Sequence, residues 1–275
     1  MLGRQNLKGS IWISEGIKIP YANNNEIKIY YEVEGEGPPL MILHGLTNNL
    51  KDMRRYVDAL KDHFQIIIID ARGHGASDKP HDPQAYRLEL MSTDPVSVLD
   101  VLGINKARIF GYSMGGWLSL GIAKYAPERL NSLIIGGYSL PLGWKPEDRA
   151  ALLDTFKQGM DATFAVFSEM FGDDWPLESQ ADFKSNDLDA LIALMLSENF
   201  MDIPGYEDLL PTVKIPSLFF AGEDNWECAS APQTVKLMPN AQFVTFPGLN
   251  HVEAFNRIDL VLPHITKFLE ELNPG

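Results

Sequence analysis

The sequence predicts an α/β fold: a mostly parallel, doubly wound sheet with helices on both faces and a helical insertion. Three observations predict it. Strand-like apolar runs alternate with helix-compatible stretches from Pro39 to Gly136, the order that builds βαβ units with right-handed crossovers. The run Gln65-Ile66-Ile67-Ile68-Ile69-Asp70 is β-branched on both faces, as a central parallel strand covered by helices requires. From about Trp144 to Tyr206 no strand-like run occurs, only amphipathic helical stretches, and the strands then resume at Ile215.

Each element has its own signal. Ile17–Tyr21 and Glu26–Glu34 alternate apolar and polar residues around Asn23-Asn24-Asn25, the pattern of an edge hairpin. Residues 1–16 lack periodicity and are expected to be a loose lead-in. Pro39–Leu43 reads as a short buried strand ending at His44-Gly45-Leu46-Thr47. Met53, Tyr56, Val57 and Leu60 fall at helical spacing within Asn49–His63. After the strand at 65–70 comes a glycine-rich loop, Ala71 to Asp78. Asp94–Leu102 is expected to be a helix with Asp94 as N-cap and Pro95 in its first turn. Leu130–Gly136, Ile215–Gly222 and Ala241–Phe246 read as further strands, Asp148–Phe171 and Asp187–Phe200 as helices of the insertion, Pro232–Leu237 as a helix, and Leu260–Leu272 as a terminal amphipathic helix. The expected division is a core of residues 1–143 and 207–275 with a helical cap, or lid, at 144–206.

The 275 residues, 45% hydrophobic and 22% charged, describe an ordinary globular protein. A net charge of −14 opposes binding to nucleic acid or anionic membrane, which needs basic patches. Cys228 is the only cysteine, and the six histidines contain no H-E-x-x-H, so neither a disulfide nor a metal site is expected. The N-terminal stretch has no secretory apolar core and no run approaches a membrane span. The expectation is a cytoplasmic protein with a small-molecule substrate, without membrane insertion, cofactor or metal; the oligomeric state is left open.

The densest signal lies at Ala107–Tyr125, ARIFGYSMGGWLSLGIAKY, a strand, a sharp turn and a helix. The turn Gly111-Tyr112-Ser113-Met114-Gly115 matches G-x-S-x-G, in which a serine sits on a strained strand-to-helix turn and the flanking glycines let strand and helix approach. Ser113 is therefore the candidate nucleophile. The same residues fit neither G-x-x-x-x-G-K-[ST] nor G-x-G-x-x-G, which removes a phosphate cradle and a dinucleotide fingerprint.

With His44-Gly45 after the third strand, the Asp70–Asp78 loop, the elbow, the Gly222–Asn225 loop and Gly248-x-x-His251 in this order, the chain resembles the α/β-hydrolase family from about Ile17 to Leu272. The resemblance implies a triad in the order Ser, acid, His. A serine hydroxyl needs a base to take its proton as it attacks, and His251, in the loop after the last strand, fits that place. The acid is expected three residues after the glycine. That position is Asn225, and the carboxylate stands one residue earlier, at Asp224. Asp224 is taken as the orienting acid, Asn225 as the alternative orienter, as in Cys-His-Asn enzymes, with Glu223 and Glu227 as other acids of the loop. The resemblance places the oxyanion hole at the amides of Leu46 and Met114 and gives His44 and His74 structural roles.

Aromatic and methionine residues of the insertion, Trp144, Phe156, Met160, Phe164, Phe167, Met170, Phe171 and Trp175, are expected to pack among themselves and in part to line an apolar pocket. The reading is a serine carboxylesterase that cleaves an uncharged ester, thioester or lactone of a small, partly hydrophobic substrate through an acyl-enzyme. Carbon–carbon bond hydrolysis, cofactor-free peroxidation and acyl transfer use the same residues, and fold does not choose among them. A ligand-binding receptor with slow or absent turnover is the alternative from another class.

Overall fold

The computed structural model describes residues 20–141, 146–172 and 177–272. Eight strands form one sheet in the order β1-β2-β4-β3-β5-β6-β7-β8. They are β1 (Tyr21–Asn24), β2 (Ile27–Glu34), β3 (Pro39–Leu43), β4 (Gln65–Ile69), β5 (Ala107–Tyr112), β6 (Leu130–Gly136), β7 (Ser217–Gly222) and β8 (Ala241–Phe246). The pairs β1–β2 and β2–β4 are antiparallel and every other pair is parallel. Apolar runs become central strands because both faces are covered: β5 and β7 are buried at every residue. One layer of core joins Met41, Ile67, Ile109 and Ile135 to the helices on one face, and another joins Leu40, Ile66, Phe110 and Leu218 to those on the other.

Strand order reverses direction between β3 and β5. In open α/β sheets ligands bind outside the carboxyl ends of the strands at such a switch point. The loop from His44 and the turn at Ser113 flank it directly.

Several boundaries differ from the expectations, each for a local reason. The hairpin turn is Asn25-Glu26, not Asn23–Asn25: Asn24 pairs with Ile27 and Asn25 carries φ +56°. Asn24 is held in the strand because its Nδ2 donates to Asp94 Oδ1 at 2.7 Å. Of the expected first strand, Ile17–Ile19 lies outside the described residues, as does the lead-in. The helix around Asp94 is α2 (Leu88–Val101) and begins six residues before Asp94. Asp94 is not its cap: the carboxylate is buried inside the helix and receives Arg72 Nε at 2.9 Å and Nη2 at 2.6 Å. Asn49–His63 forms a 3₁₀ turn, Leu50–Met53, and then α1 (Arg54–Leu60).

The helix after the elbow is α3 (Met114–Tyr125). Between β6 and β7 the described residues form α4 (Pro146–Lys157), α5 (Met160–Phe171), α6 (Leu177–Lys184), α7 (Leu188–Leu196) and a short α8 (Tyr206–Leu209). Asp148–Phe171 is thus two helices, divided at Gly159, which carries φ +103°. After β7 comes α9 (Trp226–Leu237), with Pro232 inside it. His251 opens a short helix, α10 (His251–Asn256), instead of sitting in a loop, because Asn250 and Glu253 make a reciprocal capping box there. The terminal helix is α11 (Ile258–Glu271).

Candidate active site

Ser113 stands between β5 and α3 with φ 54° and ψ −114°, a backbone region that costs a non-glycine residue roughly 1–3 kcal/mol. The neighbouring glycines make the turn sterically possible. A Cβ on Gly111 would lie 2.1 Å from the Gly115 carbonyl oxygen, and one on Gly115 would lie 2.1 Å from the Leu43 carbonyl oxygen. Strand, turn and the end of β3 are therefore closer than any side chain permits. The Ser113 N–H donates to Gly136 O at 2.8 Å, which ties the turn to the end of β6.

Met114 is the first residue of α3, where a backbone N–H has no partner within the helix. Leu46 lies in the loop after β3, and two buried histidines shape that loop. His44 Nδ1 donates to Gly45 O at 2.8 Å and its Nε2 accepts the Ala71 N–H at 3.0 Å. His74 Nδ1 donates to Arg72 O at 3.1 Å and its Nε2 accepts the Thr47 N–H at 3.3 Å. Burial holds His74 neutral and pushes its pKa down to about 3, with His44 adding in the same direction. Gly45 O is drawn away by His44 and by the Asn48 N–H at 3.2 Å. A trans peptide sets its N–H opposite its C=O, so the Leu46 N–H points the other way.

His251 lies beside the elbow. Its carbonyl oxygen accepts the Tyr112 hydroxyl at 2.5 Å, the two rings are 5.3 Å apart, and a Cβ on Gly137 would come within 2.9 Å of its Cε1. Asn225 meets the ring: its Nδ2 is 3.0 Å from His251 Nδ1. Its Oδ1 is buried with no hydrogen-bond partner among the described residues. Asp224, expected as the orienting acid, is exposed, as is Glu223. The reason is register: the Asn225 N–H bonds back to Gly222 O, and the Asp224 N–H to Leu249 O, which turns residue 225 inward and 224 out. The side chain of Glu227 lies outside the described residues.

Ser113, Leu46 and His251 line one cavity of about 1050 Å³. Leu152, Phe167 and Met170 of the insertion contribute apolar wall, as do Leu249 and Phe255 of the core. Phe156 is fully buried and Phe164 packs on Phe183 at 5.4 Å, so these two serve the insertion's own core. Trp144, Trp175 and the side chain of Phe171 lie outside the described residues. The rim is charged and paired, with Lys51 on Asp182 at 3.1 Å and Arg54 on Glu34. Tyr112 and Gly137 also shape the site and carry no sequence signal of their own, except that Tyr112 is the variable residue of the elbow.

An alignment with the family model described as "alpha/beta hydrolase fold" covers residues 38–214, from β3 through the elbow and the insertion. The chain belongs to the α/β-hydrolase fold family. Within it, the 3-oxoadipate enol-lactonase 2 of Acinetobacter baylyi is 32% identical over 120 residues, 43% of this chain and 44% of that protein. The chain thus matches less than half the length of this relative. Two solved α/β-hydrolase-fold structures span nearly all of it. The enol-lactonase of Burkholderia xenovorans superposes with a TM-score of 0.81 at 23% identity, over 91% of this chain and 99% of that one. Est816, described as an N-acyl homoserine lactone degrading enzyme, superposes with a TM-score of 0.74 at 25% identity, over 90% and 100%. Among the described residues no helix is long and apolar enough to cross a membrane, and no group of three or more His, Cys, Asp or Glu could hold a metal ion.

Proposed function

We propose that this α/β-hydrolase family member is a serine hydrolase that cleaves the carboxylic ester bond of a small, partly hydrophobic ester or lactone through an acyl-enzyme. The observation that carries the proposal is the strained Ser113, at the N-terminus of α3, in one cavity with His251 and Leu46. Ser113 Oγ attacks the carbonyl carbon and its proton passes to His251 Nε2. The carbonyl π pair moves to oxygen, where the Leu46 and Met114 amides receive it. Collapse expels the leaving group, which takes the proton. Water then repeats the sequence on the acyl-enzyme, returning the proton to Ser113 and releasing the acid.

Asn225 is the residue proposed to orient His251, in place of Asp224, because it meets Nδ1. That contact leaves Nε2 for the cavity. The amide nitrogen faces Nδ1; a flip of the Asn225 amide, which would also give its buried, unpartnered Oδ1 a donor, lets that oxygen accept Nδ1–H in the tautomer that serves as base. The apolar wall of Phe167, Met170 and Leu249 suits the hydrophobic part of the substrate. Enol-lactonase and lactone-degrading neighbours of the same architecture make lactones the first substrates to try beside acyl esters.

The test is a stopped-flow burst with p-nitrophenyl butyrate. A burst that Ser113→Ala abolishes is the expected result, together with covalent labelling of Ser113 by a fluorophosphonate. Absence of labelling in the folded protein overturns the proposal. Asp224→Asn should leave turnover near wild type while Asn225→Ala lowers it; the reverse result returns the orienting role to Asp224.

A further inference from the structure

Asn186 lies in the insertion, between α6 and α7, and its position is fixed from both sides. Asp187 caps α7 by accepting the Ala190 N–H at 3.0 Å and also meets His81 Nε2 at 3.1 Å. Asn186 Nδ2 itself has two carbonyl partners close by: Phe183 O at 2.9 Å, and Thr47 O, across the cleft in the core, at 2.7 Å. Both partners only accept, so the amide orientation is determined.

Thr47 is β-branched and carries φ +64°, a conformation that L-residues avoid and that persists only where its surroundings hold it. The chain of bonds from Asn186 runs through peptide groups alone. Asn186 Nδ2–H donates to Thr47 O. The N–H on the far side of that same peptide belongs to Asn48 and donates to Gly45 O at 3.2 Å. The N–H on the far side of the Gly45 carbonyl is that of Leu46. Each planar trans peptide passes direction to the next, and bonds in series polarise one another.

We infer that Asn186 is a positioning residue through which the helical insertion aims and polarises the Leu46 amide. The inference rests on the proposed role of Leu46 as oxyanion donor. The insertion then does more than wall the cavity: its seating on Thr47 completes the hole in which negative charge develops. Ser113, His251 and Met114 all belong to the core, whereas the Asn186–Thr47 contact ties the loop that carries Leu46 to the segment between α6 and α7.

Asn186→Ala and the isosteric Asn186→Asp, which presents an acceptor to Thr47 O, are compared with wild type on a p-nitrophenyl ester and on its thionoester. A hole that stabilises developing charge on oxygen serves the longer, softer sulfur poorly. The expected result is a kcat lowered by about 10-fold, short of the 10²–10³ that outright loss of a donor costs, and a KM nearly unchanged. The ester-to-thionoester ratio of kcat/KM should fall in both variants, and furthest in Asn186→Asp. That ratio is taken within one protein sample, so partial unfolding of a variant cancels from it. An unchanged ratio overturns the inference even if both rates drop, because that is loss of packing alone. If Ser113→Ala retains turnover, the serine reading itself fails; if it abolishes turnover while the Asn186 ratios match wild type, only the role of Asn186 fails.

Discussion

The hydroxyl of Tyr112 donates to the backbone carbonyl of His251 at 2.5 Å, and the two rings lie 5.3 Å apart. The residue before the candidate nucleophile thus fixes the backbone of the candidate base, and the Phe255 ring also packs on Tyr112 at 4.9 Å. Tyr112→Phe keeps the ring and its packing and removes only the tether. We expect kcat to fall several-fold, and stability to fall by no more than the ~1 kcal/mol that a typical hydrogen bond contributes. Steady-state kinetics beside a melting curve decide it. A rate equal to wild type means that Asn250 and α10 alone suffice to place His251.

Ser113 holds a conformation that glycine adopts without strain. Ser113→Gly should abolish hydrolysis and raise stability by about 1 kcal/mol, the lower part of what such a conformation costs, which is a few degrees in a chain of this length. Calorimetry on the pair reads it directly. A lower melting temperature for the glycine variant shows that the turn is held without strain.

Arg72 and Asp94 are buried together, their side chains 4% and 3% exposed, with Arg72 Nη1 also donating to Ala85 O at 2.6 Å. Removing one partner leaves a buried charge unpaired, which costs roughly 3–5 kcal/mol. Arg72→Met should therefore lower the denaturation midpoint strongly, and Arg72→Met with Asp94→Leu should recover much of the loss. If the double variant is no better than the single one, the arginine serves mainly to bind Ala85 O.

The sheet is legible in the sequence because the evidence for it is local. Leu130–Gly136 and Ala241–Phe246 are continuous or alternating apolar runs with turn residues at both ends, and they are β6 and β8 to the residue. The elbow is legible for a steric reason, since only glycine tolerates the approaches at 111 and 115. What stays hidden depends on partners far along the chain. Asp94 resembles a cap until Arg72, 22 residues earlier, reaches it. The choice between residues 224 and 225 is a matter of one residue of register, set by Gly222 O and Leu249 O: the spacing of three after the glycine marks 225, and only the amide in place of an acid there directs the expectation to Asp224. Asn186 is polar, isolated and 139 residues from Thr47, so neither periodicity nor motif marks it.

His74 gives the site its expected acid limit. Its folded pKa of about 3 lies below the ordinary value of 6.5, so below pH 6.5 the unfolded chain binds a proton that the folded protein refuses. The stability contributed is fully present above pH 6.5 and is lost as pH falls toward 3, at about 1.4 kcal/mol per pH unit. Between pH 6 and 5, above the ~4 at which ordinary carboxylates titrate, urea denaturation should show this slope, and His74→Gln should be less stable at pH 7.5 yet flatter with pH. Protonation also removes the acceptor for the Thr47 N–H, so the loop that carries Leu46 should loosen in the same window, and activity should fall with stability. A His74→Gln variant that keeps the full wild-type slope shifts the acid sensitivity to another histidine.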